Sequence, residues 1–343
     1  MITPETIEQE IKINSCLFFE LDYTSTFLIL TKCQKEIAGE LVIPSSSTIN
    51  GKKYPVKIIG QSAFEGCIGL TSVIIPNGVE TIENSAFHSC SSLVFVTIPN
   101  SVMKIQQAAF KSCKSLASIA VPHTVTTLCS DILVDTAWYR NQPDGLVYLN
   151  DWCLGYKGYK PIGDISIKPE TVGIADNSFR RCSEITTIVI PDSVTKIGNN
   201  AFSGCTGLTS VTIGNSVKEI GFNAFYGCTG LISVIIPDSV TSIGREAFCG
   251  CSSLVSVTMS ELNNIGYYAE NLFRFKGCSS LTSVVFTRFN GYYNAFERDF
   301  ENCNNLKRII IPCKKEAFVH IKQKFPRIPF RNLLEPLDVD KVE

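Results

Sequence analysis

Residues 197–213 read IGNNAFSGCTGLTSVTI, and residues 220–236 read IGFNAFYGCTGLISVII. The second stretch begins 23 residues after the first and keeps phenylalanine, glycine, cysteine and leucine at the same positions. Aligning on the cysteine reveals nine copies, each with a phenylalanine three residues earlier. The nine cysteines are Cys67, Cys90, Cys113, Cys182, Cys205, Cys228, Cys251, Cys278 and Cys303. Self-similarity at a short fixed period predicts a repeat architecture.

The spacing between these cysteines shows where the repeat is regular. It is 23 residues within each of two runs, residues 67–113 and residues 182–251. The gap from Cys113 to Cys182 is three repeat lengths, and looser spacings lead from the second run to Cys278 and Cys303. The interruption therefore has the length of whole repeats and stays in phase at both ends.

Each repeat predicts one coil of a solenoid. A unit this short cannot bury its own apolar face, so the copies must stack on one another. The motif L-x-x-V-x-I predicts a short strand with Val211 and Ile213 pointing inward and Ser210 and Thr212 pointing outward. Stacking predicts parallel strands about 4.8 Å apart. Eleven strand positions are recognisable, at Ile43, Ile75, Ile98, Val121, Ile167, Ile190, Ile213, Ile236, Met259, Phe286 and Ile311.

Two units show a family resemblance: residues 205–225, CTGLTSVTIGNSVKEIGFNAF, and residues 228–248, CTGLISVIIPDSVTSIGREAF. They closely resemble the BspA-like leucine-rich-repeat family of microbial surface proteins, over roughly residues 39–313. The expected fold is a curved, right-handed, leucine-rich-repeat-like solenoid of about a dozen coils with one short parallel strand per coil, capped at both ends. The resemblance also implies adhesion, or contact with host or matrix proteins, at a microbial cell surface.

The chain departs from the commoner leucine-rich repeat at the position of the ladder asparagine. That position holds Gly78, Ser101, Thr124, Ser193, Ser216 and Ser239. An asparagine ladder should therefore be absent, and hydroxyl groups could satisfy some of the same backbone groups.

The repeat pattern predicts five regions along the chain. They are N-terminal cap strands at 1–38, a first repeat block at 39–135, an aromatic interruption at 136–160, a second repeat block at 161–313 and a C-terminal cap at 314–343. The insert SSSTINGKK lies within the first block. Phe318, Ile321 and Phe325 have helical spacing, which suits a terminal cap.

The aromatic interruption reads TAWYRNQPDGLVYLNDWCLGYKGYK and holds both tryptophans and four of the eleven tyrosines. Its alternation predicts a hairpin or a modified coil that continues the stack. Aromatic side chains on a loop can anchor a protein or stack on a sugar. The candidate ligand-binding residues are Trp138, Tyr139, Tyr148, Trp152 and Tyr156. The alternative is that these rings plug the solenoid where the repeat core is lost.

The outward strand residues form a second candidate surface, which is almost uncharged, small and β-branched. Phe95 and Arg308 are the residues there that come closest to the Trp, Tyr and Arg of protein-binding hot spots. The alternative is a sheet face selected for strand propensity alone.

The sequence offers no catalytic, metal or cofactor site. The nine repeat cysteines predict a buried column of free thiols, because stacked coils are about 4.8 Å apart while disulfide Cβ atoms require about 3.8 Å. Cys249-Gly-Cys251 lacks the second half of a metal site. His88, His123 and His320 have no fixed partner nearby in the sequence, and no Walker loop, dinucleotide fingerprint or G-x-S-x-G motif occurs. We therefore expect a protein that is not an enzyme.

Composition limits the partners. The net charge of −1 gives no case for nucleic acid, and no apolar run approaches the ~18 residues of a membrane span. The stretch MITPETIEQEIKINS is acidic where a signal peptide is basic, which leaves open an intracellular protein and an exported one whose leader has been removed. The predicted function is adhesin-like binding of a protein, with a glycan as the other ligand class. The alternative is a structural spacer with no ligand.

Overall fold

The computed structural model describes residues 16–260, 272–288, 299–312 and 333–337. The chain forms two compact units, Met1–Pro143 (unit 1) and Asp144–Glu343 (unit 2). The boundary falls inside the aromatic interruption. Phe318, Ile321 and Phe325, on which the predicted C-terminal cap helix depends, lie outside the described residues.

Unit 1 combines a cap hairpin with stacked coils. Its strands are β1 (Leu17–Leu21), β2 (Leu28–Cys33), β3 (Ala38–Val42), β4 (Ser46–Ile49), β5 (Lys52–Ile59), β6 (Gly69–Ile74), β7 (Thr81–Ile82), β8 (Phe95–Thr97), β9 (Lys104–Ile105) and β10 (Thr127–Leu128), and its helix is α1 (Ala137–Arg140). One sheet has the order β3-β6-β8, and the other has the order β1-β2-β5-β7-β9-β10, with β4 beside β5.

Unit 2 repeats this plan. Its strands are β11 (Gly145–Leu149), β12 (Trp152–Lys157), β13 (Gly163–Ser166), β14 (Gly173–Ile174), β15 (Ile185–Val189), β16 (Lys196–Ile197), β17 (Ser210–Thr212), β18 (Glu219–Ile220), β19 (Ser233–Ile235), β20 (Ser242–Ile243), β21 (Ser256–Met259), β22 (Ser283–Phe286), β23 (Arg308–Pro312) and β24 (Leu334–Leu337). Its sheets have the orders β13-β15-β17, β19-β21-β22-β23-β24 and β11-β12-β14-β16-β18-β20.

The strand pairing confirms the solenoid predicted from the repeat. Val73 pairs with Val96 in unit 1, and Ile188 pairs with Val211 in unit 2, both in parallel and one repeat length apart. Each regular coil also has a second, two-residue strand that pairs in parallel with the same strand of the next coil, as Ile197 pairs with Ile220. One strand per coil was predicted. The second was not, because so short a strand carries no periodicity.

The phenylalanine that recurs once per coil forms a stacked column in each unit. The rings of Phe64, Phe87 and Phe110 lie with centroids 4.8 and 5.2 Å apart and nearly parallel planes. In unit 2 the column extends from Phe179 to Phe300 with spacings of 5.0–5.5 Å. These rings are fully or almost fully buried, so the column fills the centre of the coils.

The cysteine column is a hydrogen-bonded ladder as well as a packing feature. The Cys228 thiol donates to the Phe202 carbonyl oxygen at 3.1 Å, and six further repeat cysteines make the same bond to the preceding coil. The nine repeat cysteines are free thiols, as the stacking distance predicted, and so are the other cysteines among the described residues. Burial raises the pKa of the Cys205 thiol to about 12, which keeps it protonated and able to donate.

Hydroxyl groups replace the asparagine ladder, as predicted. The hydroxyl of Ser101 donates to the Val79 carbonyl oxygen at 2.7 Å, and those of Thr124, Ser193 and Ser239 donate in the same way. The turn before each repeat cysteine requires a left-handed backbone, with φ of 73° at Gly204 and 66° at Gly227. Glycine adopts this conformation without steric cost, which explains its recurrence there.

Two segments of unit 1 differ from the repeat template. The insert predicted as SSSTINGKK forms the hairpin β4–β5, which turns at Asn50 and Gly51, both with positive φ. Asn-Gly is the preferred pair for such a turn. The strand predicted at Val121 is absent: residues 117–122 have no strand, although Val121 itself is buried.

Candidate functional site

The structure divides the sequence-predicted site residues between the two units. Trp138 and Tyr139 lie on α1 in unit 1, while Tyr148, Trp152 and Tyr156 lie on the hairpin β11–β12 in unit 2. Of the outward strand residues, Phe95 lies on β8 in unit 1 and Arg308 lies on β23 in unit 2. The candidate residues therefore do not come from one element or one unit.

The helix α1 packs onto the last coil of unit 1. The buried Thr136 caps it: its hydroxyl oxygen accepts from the Tyr139 N–H at 3.0 Å and donates to the Leu133 carbonyl oxygen at 2.6 Å. The Trp138 N–H donates to the Leu116 carbonyl oxygen at 2.8 Å. Trp138 and Tyr139 are half-buried, so each keeps some surface for a ligand while it helps to close the coil.

Trp152 is a structural residue of the hairpin β11–β12. Its side chain is only 6% exposed. Its ring lies directly against Gly173 on β14, where an added Cβ would come within 2.7 Å of the ring. Trp152 thus fills the space between the hairpin and the first short strand of unit 2 and offers almost no surface to a ligand.

Tyr148 and Tyr156 are half-buried on the same hairpin. The Tyr148 hydroxyl oxygen accepts from the Lys168 backbone N–H at 3.2 Å, and the Lys168 ammonium lies 4.3 Å from the centroid of the Tyr148 ring. Burial raises the pKa of Tyr148 to about 12. Ligand binding by Trp138, Tyr139, Tyr148 and Tyr156 remains a prediction.

The hairpin β11–β12 is built like the N-terminal hairpin β1–β2 of unit 1. Both are antiparallel, both have an irregular register in the first strand, and in both the second strand begins the parallel short-strand sheet. The aromatic stretch therefore supplies the cap of unit 2. Its alternation predicted the hairpin. The sequence did not predict that β11–β12 caps unit 2 as β1–β2 caps unit 1, because the two hairpins share no repeat motif.

In each unit, the outward face of the longer strands is called here the long-strand face: that of β3-β6-β8 in unit 1, and that of β13-β15-β17 and β19-β21-β22-β23-β24 in unit 2. Several of its apolar side chains are well exposed: Val42 is 50% exposed, Phe95 51%, Val189 45% and Ile235 68%. Arg308 is also exposed, but its Nε donates to the Glu335 carboxylate at 2.9 Å. The guanidinium of Arg308 is thus already engaged in an ion pair.

A cleft of about 350 Å³ opens on the long-strand face of unit 1 beside β8. It is lined by Phe95, Val96, Thr97, Ile98, Ser118, Ile119 and Ala120. The residues of its second wall, Ser118, Ile119 and Ala120, fit the strand template but form no strand. The Thr97 hydroxyl oxygen is buried and has no hydrogen-bond partner among the described residues. Phe95 was predicted as a site residue from its type, whereas the cleft beside it was not predicted.

A buried ion pair in unit 2 was also missed. The Arg274 Nη1 and the Asp299 Oδ2 lie 2.7 Å apart, with side chains 2% and 0% exposed. Both residues occupy the position before the column phenylalanine, which is alanine in most coils, as at Ala224 and Ala247. The signal in the sequence was that two consecutive coils replace this alanine by opposite charges.

The described residues show no arrangement that resembles an active site. His88 is paired with Glu65 at 3.2 Å in a partly exposed position, and His320 lies outside the described residues. No group of three or more His, Cys, Asp or Glu side chains in the described part of the chain could hold a metal ion. Within the same ranges, no helix has the length and hydropathy that a membrane span requires.

The parallel strands one repeat apart, the stacked phenylalanines and the cysteine ladder define a leucine-rich-repeat-type β-solenoid protein. The family described as BspA type leucine rich repeat region matches the chain in six copies, over residues 45–140, 172–307 and 270–324. The chain belongs to this family.

Several solved bacterial structures are similar to this chain. The pneumococcal vaccine antigen PcpA is 18% identical over 94% of this chain and 96% of its own, with a TM-score of 0.48. A leucine rich cell surface protein from Faecalibacterium prausnitzii is 20% identical over 89% and 96%, with a TM-score of 0.39. A leucine rich repeat protein from T. pallidum is 25% identical over 70% and 88%, with a TM-score of 0.33. Among curated proteins, none matches the sequence.

Proposed function

We propose that this chain is a non-catalytic, adhesin-like protein that binds a protein partner through its long-strand face. The observation that carries the proposal is the cleft beside β8, with the half-exposed Phe95 at its edge. Phe95 would be buried by a partner, and aromatic side chains next to a pocket are typical of binding hot spots. A spacer with no ligand needs neither an exposed phenylalanine nor a cleft.

The long-strand face of each unit carries further exposed apolar side chains that support contact with a partner. Side chains such as Ile74 and Ile235 point away from the core and are 36% and 68% exposed. Burying apolar surface contributes about 25 cal/mol per Å², and exposed apolar patches mark interaction surfaces in soluble proteins.

We further propose that the protein acts at a bacterial cell surface, where host or matrix proteins are the expected partners. Membership in the BspA-type family supports this location. The half-buried aromatic residues are the second set of candidates, for a protein or a glycan: Trp138 and Tyr139 on unit 1, and Tyr148 and Tyr156 on unit 2. They rank below Phe95 because they lie on elements that cap the two units.

The test is a binding screen of the whole chain on arrays of extracellular-matrix proteins and of glycans. We expect a matrix protein to bind, and Phe95→Ser or Ile235→Ser to weaken that binding at least tenfold. Phe18→Ser is the matched control, because Phe18 is 48% exposed but lies on the cap strand β1. Binding to glycans alone, or binding that neither long-strand variant weakens, would contradict the proposal.

A further inference from the structure

We infer that Cys33 and Cys67 are a redox-sensitive pair, and that their oxidation to a disulfide covalently links the cap hairpin β1–β2 to the first coil of unit 1. The pair is independent of the proposed function, because both side chains are buried and neither offers surface to a partner. Disulfide formation here would be a modification of the chain that depends on the redox conditions around it.

The cap places Cys33 where a coil places its column phenylalanine. The Cys33 N–H donates to the Ala63 carbonyl oxygen at 2.8 Å, as the Phe64 N–H donates to the Ala86 carbonyl oxygen at 2.7 Å in the next coil. Cys33 is the last residue of β2, where it pairs with Leu17 across the hairpin. It is only 3% exposed, so its thiol lies in the core as the rings of the column do.

The first cysteine of the ladder, Cys67, lies next to this position. One coil later, the Cys90 thiol donates to the carbonyl oxygen of Phe64, the preceding column residue, at 3.1 Å. By the same geometry the Cys67 thiol is directed at Cys33, and these two thiols hydrogen-bond to each other. The 4.8 Å separation of equivalent cysteines in stacked coils does not apply to them, because they occupy different positions in their turns.

Unit 2 has the same arrangement with a different side chain. Cys33 lies three residues after the last residue of β2 that pairs with β5, and Tyr156 lies three residues after the last residue of β12 that pairs with β14. Tyr156 hydrogen-bonds the thiol of Cys182, which is the first cysteine of the ladder in unit 2. In both units a cap residue at this place therefore contacts the first ladder cysteine. A thiol stands there in unit 1 and a phenol in unit 2, so a disulfide can form at this place in unit 1 alone.

The oxidant that the reaction requires is a small disulfide such as oxidised glutathione. The Cys67 sulfur attacks it and releases one glutathione thiol, and the Cys33 sulfur then displaces the second. The two cysteines thus lose two electrons and two protons, and one glutathione disulfide becomes two glutathione molecules. The hydrogen bond from Cys33 lowers the pKa of the Cys67 thiol, and the thiolate is the attacking form.

Access for the oxidant comes from the position of the pair at the end of a solenoid. A cap contacts a coil on one side only, so it opens locally more easily than the coils in the middle. A disulfide between cap and coil would oppose that opening. Extracellular conditions favour the disulfide, and a reducing cytosol favours the two thiols.

The experiment incubates the folded, reduced full chain with oxidised glutathione, blocks the remaining thiols and maps the linked peptides by mass spectrometry. We expect a peptide that joins Cys33 to Cys67, with Cys205 and Cys228 unlinked. Amide hydrogen exchange of residues 17–33 should slow at least tenfold on oxidation, because the cap no longer opens alone, and a thiol reductant should reverse the effect. Exchange in the hairpin β11–β12 of unit 2 is the internal control and should not change.

Cys33→Ser is the matched variant, because it keeps a small polar side chain at the same place. Its exchange without oxidant should equal that of the wild type, and oxidised glutathione should neither link Cys67 nor slow exchange in β1–β2. The wild-type result decides the inference even if this variant does not fold. Linkage of Cys67 to Cys90, linkage of Cys33 to Cys16, or a Cys33–Cys67 link that leaves exchange in β1–β2 unchanged would overturn it.

Discussion

Removing the carboxylate of Asp299 should destabilise unit 2 far more than its single charge would suggest. Asp299 accepts two hydrogen bonds from Arg274, from Nη1 at 2.7 Å and from the backbone N–H at 3.0 Å. The Arg274 Nε donates to the Ile243 carbonyl oxygen at 3.3 Å, so the guanidinium is held in the core. In Asp299→Ala that guanidinium stays buried and loses the carboxylate that lies 2.7 Å from its Nη1.

The expected cost follows from the burial of the pair. Breaking a buried ion pair by removing one partner typically costs about 3–5 kcal/mol, whereas replacing both partners by apolar residues is often neutral. Asp299→Ala should therefore lower the free energy of unfolding by about 3–5 kcal/mol. The double variant Arg274→Met/Asp299→Ala should recover at least about 2 kcal/mol of that loss, because it removes the buried guanidinium together with its carboxylate.

The measurement is urea unfolding followed by tryptophan fluorescence. Trp138→Phe provides the background, because it leaves Trp152 as the sole tryptophan and so reports unit 2. Glu219→Ala is the control: it breaks the Lys196–Glu219 pair, 3.1 Å apart with Glu219 45% exposed, and should cost at most about 1 kcal/mol. Salt at about 1 M should leave the Asp299→Ala effect unchanged, since a buried pair is little screened. A cost below about 1 kcal/mol, or no recovery in the double variant, would refute the reasoning.

Four further outcomes are expected. Phe202→Ala should lower the free energy of unfolding by about 3–5 kcal/mol in the same urea assay, because it empties a buried position in the phenylalanine column. A cost below about 1 kcal/mol would mean that the column does not stabilise the coil. The Cys228 thiol should react with a disulfide reagent only after unfolding, because burial raises its pKa and the thiolate is the reactive form. Fast labelling of the native chain at this residue, detected by mass spectrometry, would argue against the ladder. Thr97→Val should raise the thermal stability by about 1 kcal/mol, since it removes an unpaired buried hydroxyl, and a lower melting temperature would show that this hydroxyl is bonded. Trp152→Ala should lower the free energy of unfolding of unit 2, measured by circular dichroism, by about 3–5 kcal/mol, because the ring is buried against Gly173. An unchanged free energy of unfolding would make Trp152 a candidate ligand-binding residue again.

The sequence by itself determined the coil and its contents. Each coil contacts the coils before and after it, so the same demands recur once per repeat and become visible as a pattern. Phe202 and Phe225 had to be large because they stack on each other, and Cys205 and Cys228 had to be small because each thiol lies within hydrogen-bond distance of the preceding coil's backbone. The hairpin at residues 145–157 could also be predicted, since alternation is a local property.

The tertiary structure alone decided the features that depart from the pattern. The ion pair of Arg274 and Asp299 joins residues from successive coils, and their charges explain one another only when the coils are stacked. Residues 117–122 fit the strand template yet form no strand, so the cleft that Ser118, Ile119 and Ala120 line beside β8 could not be predicted from residue type. Trp152 looked like a binding residue in the sequence because its type is suited to binding. Its burial against Gly173 depends on a strand that follows later in the chain, and a pattern read from one segment carries no information about such a contact.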